Sequence, residues 1–207
     1  MDIAAAVGPE RFREIMAELV DDAARVVMRY GGTVDKFTGD GIMAVFGAPI
    51  AYEDHGARGC LAAIGIQEEM AQIATGVARR DGIEFRLRIG LNSGQVIAGD
   101  IGSTSLGYTT IGEHVGLAQR MESVAPPGGV MLSDSTARIV ADVATLAEPE
   151  MAHIKGATGP VSAHRLLEMT EHRELGSRPA STLVGREWEV GALTGMSIGL
   201  KRVVGDY

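Results

Sequence analysis

Between Val34 and Gly47 the chain reads VDKFTGDGIMAVFG, two short apolar runs around Thr38-Gly39-Asp40-Gly41, and this stretch most limits the folds open to it. Glycine takes the positive φ angles that tight turns demand, so the pattern predicts a β-hairpin from Thr33 to Phe46. Asp40 then sits at the tip with Lys36 four residues before it. A carboxylate in such a place can offer hard oxygens to Mg²⁺ or Mn²⁺, ions that keep ligand positions for water and phosphate. An Asp between two glycines is equally the ordinary chemistry of a turn.

The segments on either side define what the hairpin joins. From Pro9, the residues Phe12, Ile15, Met16, Leu19, Ala23, Val26, Val27 and Tyr30 recur at three- and four-residue spacings and predict an amphipathic helix that Gly31-Gly32 ends. Met1 to Gly8 is too short and Ala-rich for a strand before it. A second long helix is expected from about Tyr52 to Arg80, with Cys60, Ile66 and Met70 inward. Phe85 to Leu91 alternates as a strand. Asn92-Ser93-Gly94 reads as a turn into a partner strand, Gln95 to Ala98, and Gly99 to Gly107 as a Gly/Ser-rich loop. A strand at Tyr108–Ile111, a helix at Glu113–Val124, a strand from Val130, a short helix capped by Ser133 and a last strand from Val161 to Leu167 follow. Long helices alternating with hairpin-connected strands imply an α/β (α+β) sandwich with a mainly antiparallel sheet covered by helices. The expected organisation is a domain over 1–168, a polar linker over 169–182 and a separate beginning over 183–207.

Composition narrows the function. With 45% hydrophobic and 22% charged residues among 207, the chain can bury a core and is not a disordered tail. A net charge of −8 argues against a nucleic-acid surface, while a local basic cleft for a phosphorylated small molecule stays compatible. The single cysteine, Cys60, has no partner for an internal disulfide, which fits a reducing cytoplasm. No apolar run reaches the length of a membrane span and no signal-peptide pattern opens the chain.

Three segments in order, Gly31 to Gly47, Arg88 to Gly94 and Arg120-Met-Glu-Ser, resemble the class III nucleotidyl cyclase catalytic domain, over about Met1 to Leu167. They look most like the actinobacterial branch in which the cyclase precedes an ATPase and a transcription-regulator module. The resemblance implies a ferredoxin-like cyclase fold and conversion of ATP to cyclic AMP and pyrophosphate. It also implies Mg²⁺ or Mn²⁺ held by two aspartates, with sites formed in a head-to-tail homodimer. Asp40 matches the second metal-binding aspartate. Lys36 matches the lysine that reads adenine and Thr109 its companion, a pairing that suits adenine. Arg120 matches the arginine that stabilises charge on the α-phosphate.

Two departures stand out. The first metal-binding aspartate belongs to a strand that the family places before the first helix, upstream of Met1, and Asp2 is too close to the helix to replace it. The sheet is therefore expected to lack a central strand and to expose unpaired backbone. Gly116 occupies the place of the family's ribose-orienting asparagine. Glu113 and His114 lie nearby, with His114 read as a surface residue, and His55 is given no catalytic role. Ser181 to Glu187 resembles the entrance to an ATPase domain, but Gly195 to Lys201 supplies no phosphate loop, which points to a truncated reading frame. The combined expectation is an adenylate cyclase by family whose activity is low or lost. The alternative is a non-catalytic module for nucleotide binding or dimerisation.

Overall fold

The computed structural model describes residues 6–38, 41–95, 97–100, 108–111, 113–153, 159–170 and 192–202. Helix α1, Pro9–Arg29, carries proline in its first turn and buries Ile15, Leu19, Ala23, Val26 and Val27 along one stripe. Gly31, at φ 79°, makes the reversal that sends the chain into the hairpin. Strands β1 (Thr33–Phe37) and β2 (Gly41–Phe46) pair antiparallel, and the Thr38 amide donates to the Gly41 carbonyl at 2.9 Å across the turn. Helix α2 spans His55–Asp81, a shorter run than expected at its start, and ends on Gly82 in the left-handed conformation.

The remaining elements are β3 (Phe85–Gln95), β4 (Ile97–Asp100), β5 (Tyr108–Ile111), α3 (Glu113–Val124), β6 (Val130–Ser133), α4 (Asp134–Ile139), β7 (Ala144–Leu146), β8 (Glu150–Ala152), β9 (Val161–Met169) and β10 (Ala192–Arg202). The main sheet runs β1-β2-β10-β3-β6-β9-β7, with β8 also on β9, while β4 and β5 form a separate ribbon. Among the described residues only β3 and β6 pair in parallel. One face buries Ile42, Ala44, Phe46, Ile89, Leu91 and Leu132 with α1 and α2. On the other, Met121 of α3 and Ala125 just after it pack with Met131 and Ala163. A side chain at Gly90 would meet the Glu122 amide nitrogen at 2.1 Å and the Ala118 carbonyl at 2.2 Å, so α3 lies directly on the β3 backbone.

Two expectations change. Asn92-Ser93-Gly94 is not a turn: β3 continues through it to Gln95, and β4 pairs with β5 rather than with β3. Asn92 and Ser93 are only 1% and 2% exposed. Their polar groups are satisfied from a distant element, because the Ser133 hydroxyl donates to Asn92 Oδ1 at 2.6 Å and the Ser135 hydroxyl to the Ser93 carbonyl at 2.7 Å. Asn and Ser favour turns when their side chains must bond locally, and that reason is removed here.

The second change concerns the sheet. No strand precedes α1 among the described residues, yet the sheet has no gap, because β10 lies between β2 and β3, antiparallel to both. The exposed backbone expected there is paired. Ala192 to Arg202, read from the sequence as part of a separate terminal segment, is a central strand of the domain. Its alternation fits the place. Met196 and Ile198 fall in rows with Ala44 and Leu91 and with Ile42 and Ile89, all in the α1/α2 core. Ser197 falls in the row of Met43 and Gly90, the face on which α3 rests. That helix packs over β3 and β10, and Gly195, Ser197 and Gly199 share the period-two register of this face.

Candidate functional site

Lys36 leaves the turn end of the edge strand β1. Its Nζ lies 3.3 Å from Oδ2 of Asp35, whose side chain is almost wholly buried, so the ammonium is half-exposed but held by its neighbour. Phe37 beside it is 64% exposed. The β5 ribbon packs against β1, which brings the strand of Thr109, paired with Gly99, next to the strand of Lys36. The side chain of Thr109 lies outside the described residues, as do Gly39 and Asp40 themselves. Asp40 is thus located only by its neighbour Gly41, which pairs with Gly199 of β10.

Arg120 is carried by α3 and is partly exposed; among the described residues its guanidinium makes no ion pair. The following turn is anchored: the Ser123 hydroxyl donates to the Arg120 carbonyl at 2.7 Å, and Arg88 Nη1 of β3 donates to the Ser123 carbonyl at 3.1 Å. Gly116 lies about one turn earlier on α3, and nothing stands within 4 Å of where its Cβ would be. The structure therefore places the expected base-reading residues on the hairpin and ribbon. Arg120 and Gly116 stand on a helix that rests on β3 and β10.

Among the described residues no group of three or more His, Cys, Asp or Glu could hold a metal ion. The strand beside β2 carries no Asp or Glu from Ala192 to Arg202. Among the described residues no two-carboxylate metal centre is assembled.

The remaining reactive side chains are structural. His55 is buried, with Nδ1 2.9 Å from the Tyr52 carbonyl. The side chains of Glu113 and His114 fall outside the described residues. His164 Nε2 lies 3.2 Å from the Ser162 hydroxyl and 3.4 Å from Asp134 Oδ1, a cluster the sequence reading missed. Both partners approach the same nitrogen, so the ring cannot relay a proton between them in the way a nucleophile's base requires. Burial pushes the Cys60 thiol up to about 12, which removes it as a nucleophile at neutral pH. A cleft of about 700 Å³ between α2 and the start of β3, lined by Gln67, Met70, Arg79, Phe85 and Arg86 among others, contains none of the predicted site residues.

Residues 1–168 match the family described as the adenylate and guanylate cyclase catalytic domain. The chain belongs to this family. It is 32% identical over 122 residues to adenylate cyclase 1 of Rhizobium meliloti (strain 1021), an alignment that covers 56% of this chain and 18% of that protein. Among solved structures, it is similar to the guanylyl cyclase Cya2, with a TM-score of 0.77 and 27% identity over 84% of this chain and 88% of that one. It is likewise similar to the guanylate cyclase domain of RhGC from Catenaria anguillulae in complex with GTP, with a TM-score of 0.72 and 27% identity over 81% and 90% of the two chains. The chain thus spans about a fifth of the length of the first relative. The family match ends at residue 168, so β10 comes from outside the matched segment. Among the described residues no helix is long and apolar enough to cross a membrane.

Proposed function

We propose that this cyclase-family domain binds ATP and converts it to cyclic AMP and pyrophosphate only slowly. Lys36 donates to an adenine ring nitrogen, with Thr109 as its companion donor and acceptor. Arg120, whose guanidinium has no ion-pair partner among the described residues, is available to hold the α-phosphate through its planar fork. Asp40 would offer its carboxylate to a Mg²⁺ or Mn²⁺ ion that arrives with the triphosphate. A second copy arranged head to tail completes each site, and exposed Phe37 on an edge strand supports such a partner surface.

The observation that carries the low rate is β10: the strand neighbouring the hairpin has no carboxylate where a two-aspartate clamp needs its other half. Gly116 adds to this, since it can orient no part of the ribose. The same observations favour a second reading, a nucleotide-binding or dimerisation module with no turnover.

Calorimetry with ATP and GTP, and a cyclic AMP assay in Mn²⁺, separate these. The expected result is ATP binding tighter than GTP binding, weakened roughly three- to tenfold by Lys36→Ala as one hydrogen bond is lost. A slow cyclic AMP signal abolished by Asp40→Ala is expected as well. Tighter GTP than ATP overturns the base assignment, and binding with no product establishes the module. Absence of any nucleotide binding overturns the cyclase reading and leaves only the dimerisation form of the second.

A further inference from the structure

We propose that the groove between β2 and β3 is a strand-docking site which residues 192–202 enter and leave as a unit, and that their insertion couples the hairpin to α3.

Three observations carry this. First, β10 is joined to nothing local. Its ladder partners among the described residues are β2 and β3, and the nearest of them in sequence is Gln95. It runs in the same direction as β9, because β9 opposes β6, β6 follows β3, and β3 opposes β10. β9 ends at Met169 and β10 begins at Ala192, so the two are parallel strands of one sheet separated by β6 and β3, not the neighbouring antiparallel arms of a hairpin.

Second, the groove is shaped for such a strand. β3 offers continuous partners from Phe85 to Gln95 and β2 from Gly41 to Phe46. The register sets Met196 and Ile198 opposite Ala44, Leu91, Ile42 and Ile89 of the α1/α2 core and Ser197 opposite Gly90, on which α3 rests, so the alternation Gly195-Met196-Ser197-Ile198-Gly199-Leu200 matches the alternation of the rows. Main-chain bonds supply affinity and alternate side chains supply selectivity, as in other strand-addition complexes. The walls keep their own support without β10. Ile42, Ala44 and Phe46 pack in the core shared with Ile15, Val26 and Cys60, so the hairpin stays on α1 and α2 when the strand is out.

Third, among the described residues β10 is the strand that links the two sides of the candidate site by hydrogen bonds. The hairpin of Lys36 is paired, among those residues, to the rest of the sheet through β10. Arg120 stands on α3, which is seated on β3 at Gly90 and Arg88. With the strand in place, hairpin and helix share one sheet. With it out, they are related through packing, that of α1 and α2 and that of the β5 ribbon on β1, and no longer through a shared ladder. Coupling between sites is reciprocal, so a nucleotide that needs both sides must tighten the strand by the factor by which the strand tightens the nucleotide. This last step rests on the nucleotide reading above; the docking site does not.

The test uses the full chain with a protease recognition sequence inserted between Thr182 and Leu183. After cleavage, the C-terminal fragment is expected to co-elute with the body. A fluorescent synthetic peptide of residues 190–204 should exchange for it, while the same peptide with Ser197→Pro should fail, because proline cannot donate to a ladder. Hydrogen exchange should show Gly41–Phe46 losing protection at least about tenfold when the fragment is competed away without replacement, with α1 still protected. A fragment that separates with no change at β2 or β3 overturns the docking site. Collapse of the whole body on fragment loss, seen as exposure of Cys60, overturns independent entry and exit. ATP should slow peptide exchange. ATP binding with no effect on exchange overturns the coupling, whereas exchange with no ATP binding overturns the nucleotide reading and leaves the strand site standing.

Discussion

At Gly116 and Gly90 the same residue type does opposite work. Gly90 is compulsory, since any Cβ would be driven into the α3 backbone. Gly116 faces open space on α3, so an asparagine there meets no steric objection and gains slightly in helix propensity. Gly116→Asn is expected to leave the unfolding midpoint unchanged or slightly raised and to increase cyclic AMP formation on the order of tenfold. That is less than the ~10²–10³ attributed to one well-placed donor, because the carboxylate clamp stays incomplete. A rate assay beside a thermal melt checks both halves. An unchanged rate with an intact fold would show that the lost asparagine is not what limits turnover. Lys36 makes a related point: its Nζ is already engaged with buried Asp35, so reading a base requires it to share or leave that partner.

Among elements, the first turn of α4 is the clearest case of one segment deciding the conformation of another. Ser133 caps α4 by accepting from the Thr136 amide at 3.4 Å and donates to Asn92 of β3. Ser133→Ala should cost about 1–3 kcal/mol, the loss of a cap plus a buried acceptor left unmet, and lower the melting temperature by several degrees. In a double-mutant cycle with Asn92→Ala the two losses should be less than additive; strict additivity would show that the bond across the elements contributes nothing. This contact also explains what could be read from the sequence. The hairpin, α1 and α3 were legible because their signals are local: glycines at a turn, a 3.6-residue stripe, a proline start. Asn92-Ser93-Gly94 carried a turn signal that burial beneath Ser133 and Ser135 cancels, and those partners are some forty residues away. β7 and β8 are too short to show a period. β10 was missed because half of its alternation is glycine and serine, which reads as weak strand until the helix lying over it is known. Of the candidate site, the positions of Lys36, Gly116 and Arg120 on hairpin and helix agree with the reading, and the carboxylate-free strand beside the hairpin could not be foreseen.

For the whole molecule, Cys60 is a built-in reporter of cooperativity. Its thiol is fully buried in the core shared by α1, α2 and the sheet, and burial alone raises its pKa from 9.0 to about 12. A thiol reagent can reach it only when that core opens, so native-state labelling at neutral pH should proceed at the rate of global unfolding rather than of local fraying. The same burial sets a pH dependence. The folded pKa is raised above the unfolded one, so this group's contribution is intact below about pH 9 and is lost as pH rises toward 12, because the unfolded thiol gives up its proton first. Over that window stability should fall by up to about 1.4 kcal/mol per pH unit from this residue. Tyrosine and lysine titrate in the same range, so the quantity to measure is the difference in urea midpoint between the natural chain and Cys60→Ala from pH 8 to 11. The natural chain should lose stability faster above pH 9. Parallel curves would mean that the core around α1 and α2 admits enough water to solvate the thiolate.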